Sequence, residues 1–428
     1  MVKTGSYLLP QTPEKHRLQR LERIWWVSLA IVFVVGMVSL VKGYFLEGMV
    51  STNLTNVVPW GEWVAFYIYF IGMSAGSFLL STLIYGFGMH QYERIGRSAL
   101  LSAIVSMITA ITFIFLDIGR PDHVFNSIFY WNVTSTMAWE IHFYILYILL
   151  LVTELYFSMR PDLVKLSQSD KASARWYRWI TFGYVDLSAL AEKRDRTVLQ
   201  VLGMLGIPLA VFGVHGGTGS IFAVLKARPF QNTGVFPIIF ILSALVSGTA
   251  LSIAIYVIKN RVFQRPDDVP MVRSLGSLLI LFLFVELGLE WYEILIGWYS
   301  LKTDEMATLH LLMTGPYWWT FWGFQLGLAM FIPLALLSLP TRKSVRWILV
   351  ASIATILGVV GVRFNMVVPM QIIPVMPGLP EGQYFPTLSE WITSFGLIAM
   401  CLILYTLGEK LLPIDQYNDD IDGGVKHV

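Results

Sequence analysis

The sequence predicts an all-α polytopic membrane protein of about ten transmembrane helices. Three observations predict it. The 428 residues are 56% hydrophobic and 14% charged, with mean hydropathy +0.64, whereas a soluble domain carries nearer a quarter charged residues. Windows of roughly twenty apolar residues recur along the whole chain, each long enough to cross a bilayer. Lys and Arg gather in alternate connections between those windows.

The elements follow in order. Residues 1–23 form a polar tail expected in the cytoplasm. The first apolar run, near 24–46, follows too long a polar stretch, and is itself too long, for a secretory signal, so it is read as a spanning helix. Spans two to four lie near 58–88, 97–116 and 136–158. The 159–196 connection is the largest on the inner side, and its ARWYRWITFGY stretch suits a short amphipathic surface helix. Further spans lie near 197–224, 234–258, 272–298, 313–338, 345–366 and 388–410, completing a membrane domain over 24–410. Pro59, Pro237, Pro270 and Pro316 fall near helix starts, where proline is tolerated. Residues 411–428, with Asp415, Asp419, Asp420 and Asp422, read as a solvated cytoplasmic tail.

With the N-terminus inside, the inner segments hold 24 of the Lys and Arg residues. The outer segments hold 6: Lys42, Arg120, Lys226, Arg228, Lys302 and Arg363. This bias predicts a multi-pass protein of the cytoplasmic membrane with both termini inside. Ser74-Ala75-Gly76-Ser77 in span two resembles Val246-Ser247-Gly248-Thr249 in span six. Both spans run inward, so two parallel four-helix bundles, spans 2–5 and 6–9, fit between flanking first and last helices. Small residues also pack membrane helices generally, which explains the echo without a repeat.

Composition excludes several classes. Cys401 is the single cysteine, so no intrachain disulfide and no self-contained iron–sulfur cluster is expected. No aromatic-interleaved basic surface suggests nucleic acid. Only His142 and His215 lie clearly within spans. They are enough for one haem at most, and a two-haem cytochrome b needs four ligands. No haem is expected.

Glu286, Glu290 and Glu293 stand at i, i+4 and i+7 in the apolar run LGSLLILFLFVELGLEWYEILIGWY, so they share one stripe of a helix. A charge at the bilayer centre costs about 3 kcal/mol on insertion scales, and groups kept there face a protein interior or a water-filled path. The default reading is proton or ion handling. Span seven runs outward, placing Glu286 roughly 20 Å from the inner face. His215 and Arg363 come late in outward spans. Glu62 opens span two from outside, Asp117 closes span three, and Glu140 and His142 lie one to two turns into span four. Arg120, His123, Arg228 and His310 belong to outer connections. The ionisable groups at membrane depth thus gather in the outer half, with Glu154 the main exception. Glu140, Tyr144, Tyr147 and Glu154 follow helical spacing on one face of span four. That face carries protons inward or forms a hydrogen-bonded interhelix seam; the residues leave both readings open. Singly, each group has a plainer reading: Asp117 with Arg120 as a salt-bridged helix end, His142 as a satisfied interior histidine, Arg363 as a snorkelling side chain. HGGTG, around His215, fails as a phosphate loop because no Lys-Ser/Thr follows.

Two chemistries suit such a cluster. A quinone headgroup needs hydrogen-bond partners at its carbonyls and groups that exchange two protons. An ion-coupled secondary transporter uses carboxylates near the midplane with discontinuous helices, and here the cluster sits towards the outside.

Several motifs occur in consistent order. They are Pro59-Trp60-Gly61-Glu62 before FYIYFIGMSAGSFLLS, LDIGRPDHVFNSIFY before Met137-Ala138-Trp139-Glu140, HGGTGSIFAVLKARPF, SALVSG, Arg363-Phe364-Asn365-Met366 with Gln371, Ser389-Glu390-Trp391, and Leu407-Gly408-Glu409-Lys410. Over roughly 55–412 the chain resembles the NrfD/PsrC family, the membrane subunits of polysulfide-reductase-type complexes, in its ten-helix branch with DsrP, QrcD and HmeB type subunits. The resemblance implies a subunit without haem or iron–sulfur cluster of its own that binds menaquinone near the outer face. It implies an extracytoplasmic ferredoxin-like iron–sulfur partner, often with cytochrome c, molybdopterin-type or second membrane subunits. Trp60 and Glu62 match the family's outer quinone-pocket end of the first core helix, Asp117, Arg120 and Glu140 its polar span 3–4 elements, and His215 and Arg228 its span-five motif. Gln231 departs from the pattern, where tryptophan is expected. Proton pumping is not implied, since the family is divided on it.

The resulting expectation is a menaquinone/menaquinol-reactive subunit of a respiratory oxidoreductase complex. Glu140 and Asp117 exchange protons and His142 or His215 hydrogen-bonds a carbonyl. Trp60, Glu62, Arg120 and Arg228 frame the site. Tyr144, Tyr147, Glu154, Glu286, Glu290, Glu293 and Arg363 form proton paths. No metal site is expected.

Overall fold

A computed structural model describes residues 13–169, 174–228, 230–376 and 378–415. Residues 1–12, Lys171 and most of the acidic tail, with Asp419, Asp420 and Asp422, lie outside the described residues. The regular elements of the described residues are all helical, and ten helices are long and apolar enough to cross a membrane. They are α1 (His16–Ser51), α2 (Glu62–Tyr85), α3 (Glu93–Asp117), α4 (Thr136–Ser167), α5 (Ala189–Ala223), α6 (Phe236–Val262), α7 (Val269–Tyr299), α8 (Thr320–Ser338), α9 (Val345–Ile372) and α10 (Leu388–Leu411).

Each expected span is present, and the differences lie at the ends. α4 continues past Pro161 to Ser167, and α5 begins at Ala189, so the 159–196 connection is largely helical. Hydropathy stops at the first charges, but these charges are paired. Arg160 donates from Nε to Asp195 Oδ2 at 2.5 Å and from Nη1 to the Asp186 carbonyl at 2.8 Å. Both partners of that ion pair are buried, which lets charged turns extend the helices. Side-chain caps start several spans: Ser135 for α4, Ser188 for α5, Asp268 for α7, and a Thr387/Glu390 capping box for α10. Residues 41–47, 209–215 and 320–331 wind more widely than an α-helix, in π fashion, a feature frequent at functional sites.

The packing forms two rings. α2, α3, α4 and α5 surround one interior, and α6, α7, α8 and α9 surround the other. α2 packs on α6 and α9, joining the rings, while α1 lies on α10 and α10 on α3. This is the expected pair of four-helix bundles with flanking first and last helices. The echoed motifs meet face to face. A β-carbon on Gly76 would overlap the Ala244 carbonyl oxygen, and one on Gly248 would overlap the Gly76 backbone. The two backbones touch there because neither residue carries a side chain. α2 is accordingly buried along nearly its whole length.

Replacing Gly76 by Leu is expected to cost about 1–3 kcal/mol or more through overpacking, read as a lower melting midpoint of the purified protein in detergent. Gly288, with open space around its α-carbon, is the control: Gly288→Ala should leave the midpoint unchanged.

Candidate functional site

The interior of the first bundle holds a column of polar side chains between α2 and α4, which face each other across the ring. Tyr144 donates to Glu140 Oε1 at 2.5 Å. Its hydroxyl lies 2.6 Å from that of Tyr67 and 3.0 Å from Thr218 Oγ1. Thr218 donates to the Val214 carbonyl at 2.8 Å. Each hydroxyl has one proton to give, so Tyr144 accepts from Tyr67, and the donors run in one direction towards the Glu140 carboxyl. Glu140, Tyr144, Tyr67 and Thr218 are all buried.

Further inward the pairing repeats. Ser74 Oγ lies 3.4 Å from the Tyr147 hydroxyl and donates to the Ala103 carbonyl at 2.7 Å. Ser81 Oγ lies 3.5 Å from Glu154 Oε1. At the end of the column away from Glu140, Arg97 donates to Asp162 Oδ2 and to the Ser158 carbonyl, both at 2.6 Å. Glu140, Tyr144, Tyr147 and Glu154 thus share one buried face, as their spacing predicts. Their partners Tyr67, Ser74 and Ser81 recur every seventh residue on α2, a periodicity that is visible in the sequence and identifies the facing side.

The second bundle holds the acidic stripe. Glu286 and Glu290 are buried and Glu293 is half-buried. Glu290 Oε2 accepts from Gln325 Nε2 at 3.1 Å. Gln325 Oε1 accepts from Asn365 Nδ2 at 2.8 Å, and Asn365 Oδ1 accepts from Thr320 at 2.6 Å. Glu286 faces Ser243 and the guanidinium of Arg363. Arg363 does not snorkel: it is fully buried, with its guanidinium 4.9 Å from the centre of the Phe240 ring.

A third group lies at the outer end of α2. The Tyr384 hydroxyl accepts from the Glu62 backbone amide at 2.8 Å and donates to Glu390 Oε1 at 2.6 Å. Burial, and then the charge of Glu390, push the Tyr384 hydroxyl well above its ordinary value. Neither carboxyl oxygen of Glu62, nor Trp63 Nε1, nor Asp117 Oδ1 has a hydrogen-bond partner. Trp60 packs edge-on against Phe222, and its amide donates to Gln371 Oε1 at 3.1 Å.

The remaining candidates separate from these groups. Asp117 lies with Glu390 and Tyr44, away from Glu140. Arg120 is exposed and pairs with Asp122 at 3.0 Å, holding that carboxyl below its ordinary range. The Asp117–Arg120 helix-end pair is therefore not formed. His142 is two residues from Glu140, hence on another face. It stacks on Trp131 at 4.3 Å and places Nδ1 2.8 Å from the Ala138 carbonyl. His215, fully buried, faces the second bundle. Arg228 is half-buried, which pushes its guanidinium down from the ordinary value, and it donates to the Ile373 carbonyl at 2.6 Å. Gln231, where the pattern leads to tryptophan, is fully buried and donates to the Met366 carbonyl at 2.7 Å.

Comparison with known proteins agrees with this architecture. The family profile described as "Polysulphide reductase, NrfD" matches residues 50–375. A selenate reductase subunit of Mesobacillus selenatarsenatis is 36% identical, over 92% of this chain and 95% of that one. An Hdr-like menaquinol oxidoreductase integral membrane subunit of Archaeoglobus fulgidus is 30% identical, over 91% and 92%. A menaquinone reductase integral membrane subunit of Nitratidesulfovibrio vulgaris is 23% identical, over 95% of each chain. With the profile covering most of the chain and ten spanning helices in two bundles, the protein belongs to the NrfD family.

Proposed function

We propose that this chain is the quinone-reactive membrane subunit of a respiratory oxidoreductase complex, exchanging electrons between menaquinone or menaquinol and an iron–sulfur partner on the outer side. Family membership and the names of its relatives support a membrane subunit of a respiratory oxidoreductase. The observation that carries the finer reading is the buried Glu140 carboxyl at the end of the donor chain Tyr67–Tyr144–Glu140. A carboxyl of this kind is what proton exchange with a lipid-soluble redox carrier requires.

The residues present fit such a headgroup. Glu62 and Trp63 open α2 with buried polar atoms lacking partners, an arrangement that native interiors reserve for ligands or ordered water. Glu62, Trp63 and Trp60 would hold the headgroup; when bound, a menaquinone supplies two-electron carbonyl-to-hydroxyl chemistry that takes up two protons. Glu140 holds or releases a proton at its carboxyl oxygen, and Tyr144 and Tyr67 orient it. The apolar walls around them exclude bulk water. The cluster lies beneath the outer face when the N-terminus is inside, which is where an extracytoplasmic iron–sulfur subunit, with cytochrome c or molybdopterin-type subunits behind it, would dock.

In the purified complex, Glu140→Gln should lower quinol turnover by at least about 100-fold, the usual weight of a positioned acid–base group. Unchanged turnover would remove Glu140 from the chemistry. Solvent extraction of the wild-type protein should recover menaquinone, with no haem bands in the reduced-minus-oxidised spectrum. Ion uptake by the isolated chain in liposomes would instead favour a secondary transporter. Orientation is tested by labelling: a cysteine replacing Arg178 should react only from the cytoplasmic side, and one replacing Lys226 only from the other.

A further inference from the structure

The two polar columns reach different faces of the membrane. In the first bundle the column continues inward, through Ser74 and Tyr147 and then Ser81 and Glu154, to Arg97 and Asp162. In the second it runs outward only, from Glu286 and Glu290 through Gln325 and Asn365 to Thr320 at the outer start of α8. Inward of Glu286, α7 presents Leu283, Leu279 and Leu275, each fully buried, and the buried hydroxyls at that depth, Ser252, Ser352 and Thr355, donate to carbonyls of their own helices rather than to one another.

The columns approach each other at one place. From the point where a β-carbon on Gly72 would stand, Arg363 Nη2 is 3.2 Å away, Ser247 Oγ 3.5 Å and His215 Nε2 3.8 Å. α2, α5, α6 and α9 therefore bring their polar groups to a single point where α2 has no side chain. Both ring nitrogens of His215, and Nε and Nη2 of Arg363, lack hydrogen-bond partners although both residues are fully buried. Facing Arg363 are Glu286 and Glu290 from α7, Tyr69 from α2 and His215 from α5. On α5, Thr218 lies one turn beyond His215 and touches the Tyr144 hydroxyl. Unpartnered polar atoms at this density recruit ordered water.

We propose that His215 and Arg363 form a crossing at which protons pass between the bundles, entering through the inner half of the first and leaving through the outer half of the second. Each transfer breaks one O–H or N–H bond and forms the next, and no electrons move along the path. His215 takes a proton at one ring nitrogen and gives one up at the other. Arg363 keeps its proton throughout. Its fixed charge keeps hydrated cations out and disfavours a resident imidazolium, so a proton passes only by concerted hand-over through neutral His215. One turn of the path moves one elementary charge across the membrane. The crossing rests on the quinone reading for its driving force.

The test uses the whole complex in sealed proteoliposomes, with quinol oxidation and proton movement recorded together. Glu286→Gln and Arg363→Gln should cut protons moved per quinol by at least about fivefold, as expected for members of an intramembrane relay, while quinol oxidation in uncoupled vesicles persists. Arg363→Lys, which keeps the charge, should retain proton movement; a loss equal to that of Arg363→Gln would overturn the role of the fixed charge. Undiminished proton movement in Glu286→Gln overturns the crossing. A wild-type complex that oxidises quinol without moving protons also overturns it and leaves the quinone reading standing. A wild-type complex without quinol turnover overturns the quinone reading itself.

Discussion

The touching backbones of α2 and α6 at Gly76 and Gly248 are the constraint on which the rest of the arrangement depends. That contact makes α2 a wall shared by two interiors. One side of it sends Tyr67, Ser74 and Ser81 into the first bundle. The other side brings Gly72 against Arg363 and His215. A larger residue at the contact would push the bundles apart and draw Arg363 and Ser247 away from His215, and hydrocarbon cannot replace those polar neighbours.

The buried arginines are held in two different ways. Arg97 and Arg160 are held by carboxylates and backbone carbonyls at 2.5–2.8 Å. Both tie the ends of α3, α4 and α5 at one end of the first bundle. Arg363 has no such cage: only Nη1 finds an acceptor, Met366 Sδ at 3.5 Å. Leaving a buried donor unsatisfied costs on the order of 1–3 kcal/mol. The fold that cages two arginines leaves the third open to the carboxyls of Glu286 and Glu290.

Much of the architecture was legible in the sequence. Span length, charge bias and the echo between span two and span six led to ten helices in two bundles, because membrane burial imposes length and alternation directly on composition. The stripe of Glu286, Glu290 and Glu293 and the face of Glu140, Tyr144, Tyr147 and Glu154 follow from helical spacing alone. What spacing within one helix does not carry is the identity of the facing side chain. The joining of Tyr67 to Tyr144, of Gln325 to Glu290 and of Asn365 to Gln325 depends on ring order. Depth was also a weaker guide than rotation. Glu140 and His142 share a depth but occupy different faces, and Asp117 joins Glu390 from the far end of the chain rather than Arg120 three residues away.

Lys259, near the end of α6, is clasped by Glu409 and Asp415, each at 2.5 Å, and Arg265 adds a second bond to Asp415. α1 lies against α10 through Gly36 and Gly396. The middle and the beginning of the polypeptide are thus both fastened by its final helix. A change within α10 therefore disturbs two distant stretches of the polypeptide at once.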